Sequence, residues 1–376
     1  MKKATQCVHS GTYKDQETRG VNTPIFTSTS FNYLDASENI YPRYFNTPNQ
    51  RAIIEKLCAL EGAEAGLLFS SGMAAISSVL FALLNTGDHA IIQRDIYGGT
   101  YHFATAEFER FGISYSFTDN TVDAIERAIR SNTRLILIES PSNPLLKITD
   151  IRAVAELARS RKIITVIDNT FASPIGQNPL FLGIDIVVHS GTKYLGGHSD
   201  LCCGAAVGGK SLIRPIRKVA MNFGGSLNAS ECYLLERSMK TLGIRMQTQC
   251  NNAQVIAEAL AKSPRVAKVY YPGLASHPGH ALAQSQMNLF GAVVSFELNE
   301  QDILPSHFVK QLKLISPAVS LGGVESIICS PAVTSHAKLT DAERAELGVT
   351  DRLLRLSVGI EDSADLVADI EQALVS

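Results

Sequence analysis

Between about residues 50 and 210, short apolar runs alternate with longer segments whose apolar residues recur at helical spacing. Several of the short runs are apolar throughout, which is typical of strands that are covered on both faces of a sheet. In residues 151–161, by contrast, the apolar residues share one helical face and the arginines fall elsewhere. This alternation predicts parallel βαβ units. We predict strands at residues 65–69, 90–93, 114–117, 135–139, 163–168, 184–188 and 204–208.

The two ends of the chain have different patterns. Residues 1–45 are rich in Thr, Ser, Asn, Tyr and Pro without a sustained period, which predicts an extended arm. From about Ser226 a long helical pattern runs towards Leu260, and strands at 292–297 and 353–358 then mix with helices. The 376 residues exceed the usual length of one domain, roughly 100–200 residues. We predict an arm (1–45), a large domain with a mostly parallel sheet (46–235) and a smaller C-terminal α/β domain (236–376).

Composition and charge exclude several classes of protein. The formal net charge is −2 and no basic run is present, so we expect no nucleic-acid partner. No stretch approaches the roughly 18 apolar residues of a membrane span, and the start lacks an apolar signal region, so we expect no membrane partner and a cytoplasmic location. The seven cysteines have no CxxC spacing, and His277 and His280 are more typical of a loop than of a metal site, so we expect no metal.

Unusual residues follow the predicted strands of the large sheet. In open parallel sheets ligands bind beyond the carboxyl ends of the strands, so these loops are where chemistry is expected. Taken singly, each residue has an ordinary explanation as a helix cap, a turn or a surface side chain. Their convergence on one sheet edge favours a single cofactor site. The residues are Ser71, Gly72, Met73, Tyr97, Asn143, Asp168, Ser190, Thr192 and Lys193.

Pyridoxal 5'-phosphate (PLP) matches this set. It requires a lysine amine for its aldehyde, a carboxylate facing its pyridine nitrogen and donors for its phosphate. Lys193 and Asp168 supply the first two, and Tyr97 can stack on the ring. The predicted phosphate donors are the hydroxyls of Ser190 and Thr192 and the N–H groups of Gly72 and Met73.

Residues 190–200, Ser-Gly-Thr-Lys-Tyr-Leu-Gly-Gly-His-Ser-Asp, resemble the cofactor-lysine signature of the PLP-dependent enzymes of cysteine and methionine metabolism. The resemblance extends over nearly the whole chain. It implies the aspartate-aminotransferase fold (fold type I) and a homotetramer, a dimer of dimers with shared active sites. It also implies that Asn143 lies near the 3-oxygen of the cofactor, that Asp168 binds its ring nitrogen and that residues 71–73 bind its phosphate.

The resemblance also covers the arm. Residues 41–46, Tyr-Pro-Arg-Tyr-Phe-Asn, are similar to the segment in which a tyrosine and an arginine reach the phosphate of a neighbouring subunit. The chain departs from the family pattern just afterwards, where Asn46-Thr47-Pro48 replaces Asn-Pro-Thr. The resemblance nevertheless implies that Tyr41 and Arg43 bind cofactor, and it implies Lys193, Tyr97 and Tyr41 as catalytic residues.

The substrate and the reaction are also implied by the family. Residues 320–326 and 355–359 resemble its substrate-carboxylate segments, which implicates Asn143, Ser320, Glu325 and Arg355 in substrate binding. The arginine fork can hold a carboxylate through two parallel hydrogen bonds. The family includes cystathionine β-lyases, γ-lyases and γ-synthases. Glu325 favours γ-chemistry.

Two other positions favour β-elimination, because members that act at the γ-carbon often have an acid where this chain has Ile40 and an arginine where it has His102. We therefore expect β-elimination of cystathionine, with Lys193 as the base for the α-proton. The alternatives are γ-chemistry, an aminotransferase, and a non-catalytic regulatory protein that binds PLP.

Overall fold

Helices cover both faces of a central sheet. The computed structural model describes residues 1–299, 303–335, 337 and 340–375. Within these residues the helices are α1 (Lys3–His9), α2 (Pro48–Glu61), α3 (Gly72–Leu83), α4 (Gly98–Glu107), α5 (Val122–Ala128), α6 (Ile151–Ser160), α7 (Ser173–Gly176), α8 (Lys210–Phe223), α9 (Ala229–Met239), α10 (Leu242–Lys262), α11 (His280–Gln286), α12 (Pro305–Gln311), α13 (Asp341–Leu347) and α14 (Ser363–Val375).

The central sheet has seven strands in the order β1-β7-β6-β5-β4-β2-β3. Only β7 runs antiparallel to its neighbours. The predicted mostly parallel sheet is thus confirmed, and each predicted strand is present with its ends displaced by at most two residues. The strands are β1 (Ala65–Phe69), β2 (His89–Gln93), β3 (Ser114–Thr118), β4 (Thr133–Glu139), β5 (Ile164–Asp168), β6 (Ile186–Ser190) and β7 (Gly204–Gly208).

Alternating side chains divide the core of this sheet into two layers. Ile136 and Ile138 of β4 pack into the core on one face, together with residues of α2 and α6. Leu135 and Leu137 pack into the core on the other face, together with residues of α3 and α8. Both layers are apolar, which explains why several of the strands are apolar over most of their length.

The C-terminal sheet has five strands in the order β10-β11-β12-β9-β8. Every pairing except β10 with β11 is antiparallel. Its core contacts α10, α12 and α14. The strands are β8 (Val266–Tyr270), β9 (Val293–Leu298), β10 (Ser316–Pro317), β11 (Ile327–Cys329) and β12 (Leu353–Ser357).

Three sequence predictions need correction. The pattern from Ser226 to Leu260 forms two helices, α9 and α10, because the chain tightens at residues 240–241 and Arg245 donates a hydrogen bond to the carbonyl of Ser238. The arm is not extended throughout, since α1 lies within it and its Cys7 carbonyl accepts a hydrogen bond from the buried amine of Lys56, 2.9 Å away. The strand predicted at 184–188 lies two residues later, because residues 186–190 pair with β7.

Helix α10 belongs to both cores. Leu242 and Met246, near its start, pack in the core of the central sheet. Ile256 and Leu260, near its end, pack in the core of the C-terminal sheet. The division at residues 45 and 235 remains a prediction. Across the described residues, no helix has the length and apolar character needed to cross a membrane.

Candidate active site

A cavity of about 420 Å³ opens at the carboxyl ends of the central strands, where ligands are expected in such sheets. Its wall brings together eleven of the residues that the sequence implicated: Ser71, Gly72, Met73, Tyr97, Asn143, Asp168, Ser190, Thr192, Lys193, Ser320 and Arg355. Ser320 and Arg355 come from the C-terminal part of the chain, so both parts contribute to the cavity. Three implicated residues, Tyr41, Arg43 and Glu325, are absent from its wall.

The start of α3 forms an anion-binding end of this cavity. Ser71 caps the helix by accepting a hydrogen bond from Ala74 N over 3.0 Å. The next two N–H groups, of Gly72 and Met73, occupy the first helical positions, where no intrahelical acceptor exists. A Cβ atom on Gly72 would lie 2.9 Å from Ser190 Cβ, so glycine permits the close approach of α3 to β6. Free N–H groups and the helix dipole together favour a phosphate here.

Asp168 presents one open oxygen to the cavity. It ends β5, and its Oδ1 accepts hydrogen bonds from the backbone N–H and the hydroxyl of Thr170. No hydrogen bond to Oδ2 is found among the described residues. Burial raises the pKa of Asp168, and the Thr170 hydrogen bonds oppose that rise. A protonated ring nitrogen would stabilise the ionised carboxylate at this oxygen.

Lys193 carries its amine into the same cavity. Its Nζ donates a hydrogen bond to Ser320 Oγ over 2.6 Å. Burial and the neighbouring Arg355 guanidinium lower the pKa of Lys193, which favours the neutral, nucleophilic amine. Ser320 has a φ of 87°, in the left-handed region that a serine rarely adopts. The loop therefore holds this hydroxyl against the lysine in a strained backbone conformation.

Arg355 is the cation of the C-terminal wall. It lies on β12 and is only 5% exposed. Its Nη1 donates to Asn143 Oδ1 over 2.8 Å, and its Nη2 donates to the Ser320 carbonyl over 3.0 Å. Its buried Nε has no hydrogen-bond partner within the described part of the chain. An unsatisfied guanidinium N–H at a cavity wall suits a carboxylate ligand.

Tyr97 lies at the cavity wall just before α4. Two glycines follow it, and a Cβ atom on Gly99 would come within 2.5 Å of the Tyr97 ring. A Cβ atom on Gly98 would come equally close, at 2.5 Å, to the Ser335 carbonyl. Gly99 therefore leaves room for the Tyr97 ring beside the first turn of the helix, and Gly98 leaves room for the Ser335 carbonyl.

Sequence reasoning missed Glu139, Phe171 and Cys202, which also line the cavity. Glu139 ends β4 and pairs with Asp168 across the parallel ladder. A signal for Glu139 was present in the sequence. It is an acid at the end of an otherwise apolar strand, and the next predicted strand along the chain ends in Asp168, which was already implicated. The role of Glu139 depends on N–H groups of two loops, and only the folded chain brings these groups to its carboxylate.

The arm residues lie elsewhere in their own chain. Arg43 Nη1 donates to the Met221 carbonyl over 2.7 Å, and the guanidinium lies over the rings of Tyr41 and Tyr44. Tyr41 is 42% exposed. Glu325 accepts a hydrogen bond from Ser199, within the signature segment, instead of lining the cavity. None of these three residues completes the cavity of the chain that carries it.

The cavity residues fit PLP. An amine, a carboxylate with an open oxygen, a stacking ring and a helix start with free N–H groups surround one space of suitable size. Together with the two-sheet architecture, they define a PLP-dependent enzyme of the aspartate-aminotransferase type.

The chain belongs to the family of Cys/Met metabolism PLP-dependent enzymes, whose model matches residues 4–375. It is 45% identical to the cystathionine gamma-lyase of Bacillus subtilis (strain 168), over 100% of this chain and 99% of that protein. It is 46% identical to the cystathionine beta-lyase MetC of the same organism, over 98% and 95%. The crystal structure of a cystathionine gamma synthase from Xanthomonas oryzae pv. oryzae matches with a TM-score of 0.96, 40% identity and coverage of 100% and 98%. The predicted family, fold and cofactor are thus confirmed.

Proposed function

We propose that this chain is a carbon–sulfur lyase that converts cystathionine to homocysteine, pyruvate and ammonia. The observation that carries the proposal is the placement of the Lys193 amine, with a lowered pKa, in one cavity with Asp168 and with Arg355, whose Nε has no hydrogen-bond partner among the described residues. Two relatives with carbon–sulfur lyase names match nearly the whole chain. An aminotransferase or a silent regulator is less well supported, because no such protein is among these relatives.

The residues of this chain have separable tasks. Bound PLP supplies an electron sink for the pair left when the α-proton of the substrate is removed. Asp168 would stabilise a protonated ring nitrogen, and Arg355 with Asn143 would hold the substrate carboxylate. The Lys193 amine takes the α-proton, and the Cβ–S bond then breaks with its electron pair on sulfur. The thiolate takes up a proton as homocysteine, and water converts the remaining fragment to pyruvate and ammonia.

The choice of β- over γ-elimination rests on the far end of the substrate. Ile40 carries no charge that could attract a distal ammonium, and His102 stands where members that act at the γ-carbon often have an arginine. Glu325, the one residue that favours γ-chemistry, is hydrogen-bonded to Ser199 and lies off the cavity wall. Cystathionine γ-lyase activity is the second candidate, because the 45% identical relative carries that name.

Product analysis tests the reaction. Purified protein loaded with PLP is incubated with cystathionine, and pyruvate and 2-oxobutyrate release are measured separately. We expect pyruvate to dominate. Dominant 2-oxobutyrate, or cystathionine formation from cysteine and an O-acylhomoserine, would show that the β-lyase assignment is wrong.

A lysine variant tests the site itself. We expect Lys193→Ala to abolish turnover and the visible absorbance of the bound cofactor, because no other described lysine lines the cavity. Borohydride reduction and peptide mass spectrometry of the wild-type protein should find the pyridoxyl group on Lys193. The group on a different lysine would contradict the proposed site.

We propose further that the enzyme is a cytoplasmic homotetramer in which Tyr41 and Arg43 serve the active site of a neighbouring subunit. In support, neither residue lines the cavity of its own chain. Mixed oligomers of Arg43→Ala and Lys193→Ala chains should regain activity, since one site per mixed dimer is then intact. Verified heteromers without recovery would contradict the shared site. All seven cysteines are free, as suits a reducing compartment, and cell fractionation tests the location.

A further inference from the structure

Glu139 uses both carboxylate oxygens to hold two separate loops of the cavity. Its Oε2 accepts a hydrogen bond from Tyr97 N, and its Oε1 accepts one from Asn143 N, each over 2.9 Å. The side chain is 3% exposed, so water does not compete effectively for these donors. Both hydrogen bonds are charge-assisted when the carboxylate is ionised, which makes them stronger than neutral ones.

The two loops serve opposite ends of the proposed chemistry. Tyr97 precedes α4 and carries the ring predicted to stack on the cofactor. Asn143 accepts a hydrogen bond from Arg355, the residue proposed to bind the substrate carboxylate. An unbroken chain of hydrogen bonds therefore runs from Tyr97 through Glu139 and Asn143 to Arg355.

The backbone of Glu139 is itself fixed by the neighbouring strand. The Gln93 side chain accepts from Glu139 N over 3.2 Å and donates to its carbonyl over 2.9 Å. The side chain of Glu139 thus starts from a rigid strand end. A rigid support of this kind is what places a functional side chain accurately.

Ionisation of Glu139 is unfavourable in the protein without cofactor. Burial, and then the neighbouring Asp168, raise the pKa of Glu139 well above its ordinary value. Asp168 keeps one oxygen open for a cationic ring nitrogen, whereas both oxygens of Glu139 are occupied by N–H groups. The two buried acids therefore have different roles.

We propose that Glu139 is a positioning residue that fixes the Tyr97 ring over the cofactor and the Asn143–Arg355 pair at the substrate carboxylate. The inference rests on the proposed function, because it takes from there the positions of the cofactor and of the substrate carboxylate. Both carboxylate oxygens of Glu139 are occupied by the two loop N–H groups, so it acts through those loops.

Glu139→Gln is the informative variant. A glutamine amide has one acceptor oxygen and one NH₂ donor, so it satisfies only one of the two backbone N–H groups and opposes the other. Glu139→Asp keeps two acceptor oxygens on a shorter side chain and serves as the conservative variant. Asp369→Asn is the matched control, since Asp369 accepts hydrogen bonds from three backbone N–H groups outside the cavity wall, those of Lys313, Leu314 and Ile315.

Three measurements are made on each purified holoenzyme: circular dichroism in the visible band of the cofactor, the cofactor dissociation constant, and kcat and KM. For Glu139→Gln we expect weaker dichroism, a raised KM and a kcat/KM that is lower by about 10- to 100-fold. A decrease of this size corresponds to the loss of one charge-assisted hydrogen bond. Glu139→Asp should recover part of the dichroism. Asp369→Asn should lose thermal stability with unchanged dichroism and KM.

The outcomes separate this inference from the proposed function. If wild-type protein carries no pyridoxyl group on Lys193, the proposed site itself is wrong. Suppose instead that the wild type is labelled at Lys193, but Glu139→Gln keeps wild-type dichroism and a kcat/KM within about twofold of the wild type. That change is well below the effect of losing one charge-assisted hydrogen bond, so Glu139 would not position the site. If Glu139→Gln does not fold, Glu139→Asp decides: a raised KM with altered dichroism supports the role, and wild-type values overturn it.

Discussion

Asp168 and Glu61 are both buried acids, yet only Asp168 lines the cavity. Glu61 ends α2, where its Oε1 accepts from His189 Nε2 over 2.6 Å and from Asn169 over 3.0 Å, and its Oε2 accepts from Asn178 over 3.1 Å. Asp168 satisfies Oδ1 within its own turn and leaves Oδ2 open. A buried acid whose oxygens are all occupied stabilises the fold, whereas one with an open oxygen at a cavity wall can bind a ligand.

The most severe test of this contrast is Asp168→Asn. Removing one partner of a buried ion pair costs about 3–5 kcal/mol, so we expect kcat/KM to fall by about two to four orders of magnitude. Cofactor-free protein should be no less stable than the wild type, because burial raises the pKa of Asp168 and thus opposes its ionisation. Steady-state kinetics and thermal melts of the cofactor-free form check both statements. A variant with near wild-type kcat/KM would remove Asp168 from the site.

Glu61→Gln should have the opposite profile. The glutamine NH₂ group then faces at least one of the three donors in place of an acceptor oxygen, and the free energy of unfolding should fall by about 1–3 kcal/mol. The kcat of folded holoenzyme should change little. Denaturant unfolding and active-site titration make the comparison. A large loss of kcat at unchanged stability would abolish the distinction between the two acids.

The same contrast applies to the hydroxyls near the helix start. Ser190 Oγ makes no hydrogen bond among the described residues, whereas Ser71 Oγ already accepts from Ala74 N. Ser190→Ala should therefore weaken cofactor binding by about tenfold, the loss of one hydrogen bond to a charged group. Ser71→Ala should mainly cost about 1 kcal/mol of stability through loss of the helix cap. Equilibrium dialysis and thermal melts distinguish them, and equal cofactor affinity in both variants would contradict the assignment.

The smallest effect is a pH dependence. Burial raises the pKa of Asp168 and of Glu139, so the stability of the cofactor-free protein is highest below their ordinary values and is lost as the pH rises through the raised ones. A cationic ring nitrogen at Asp168 offsets this loss. Melting temperatures of both forms between about pH 5 and pH 8 should diverge with rising pH. Parallel curves would show that the two acids stay neutral or compensated without cofactor.

The sequence was informative wherever local pattern determines local structure. Most strands of the central sheet came from apolar runs, and Asp168 and Lys193 were found because they lie at the end of such runs or just after them. Glu139 was missed because an acid at a strand end is ordinary until Tyr97 N and Asn143 N are brought to it. The break before α10 was missed because it depends on the Arg245 side chain, which reaches back to residue 238. The roles of Tyr41 and Arg43 stay predictions, because they involve a second chain.

Helix α10 sets a limit on how the molecule can be divided. Its first turns are part of the core beneath Lys193, and its last turns are part of the core behind Arg355. Arg245, also on α10, donates to the carbonyl of Tyr194, directly after Lys193. Suppose that two relatives exchange their C-terminal halves at a junction before residue 242. Helix α10 then comes from one parent, whereas most of the central-sheet core against which its first turns pack comes from the other. A chimera that retains both interfaces therefore has to inherit the whole helix together with the residues it contacts on each side.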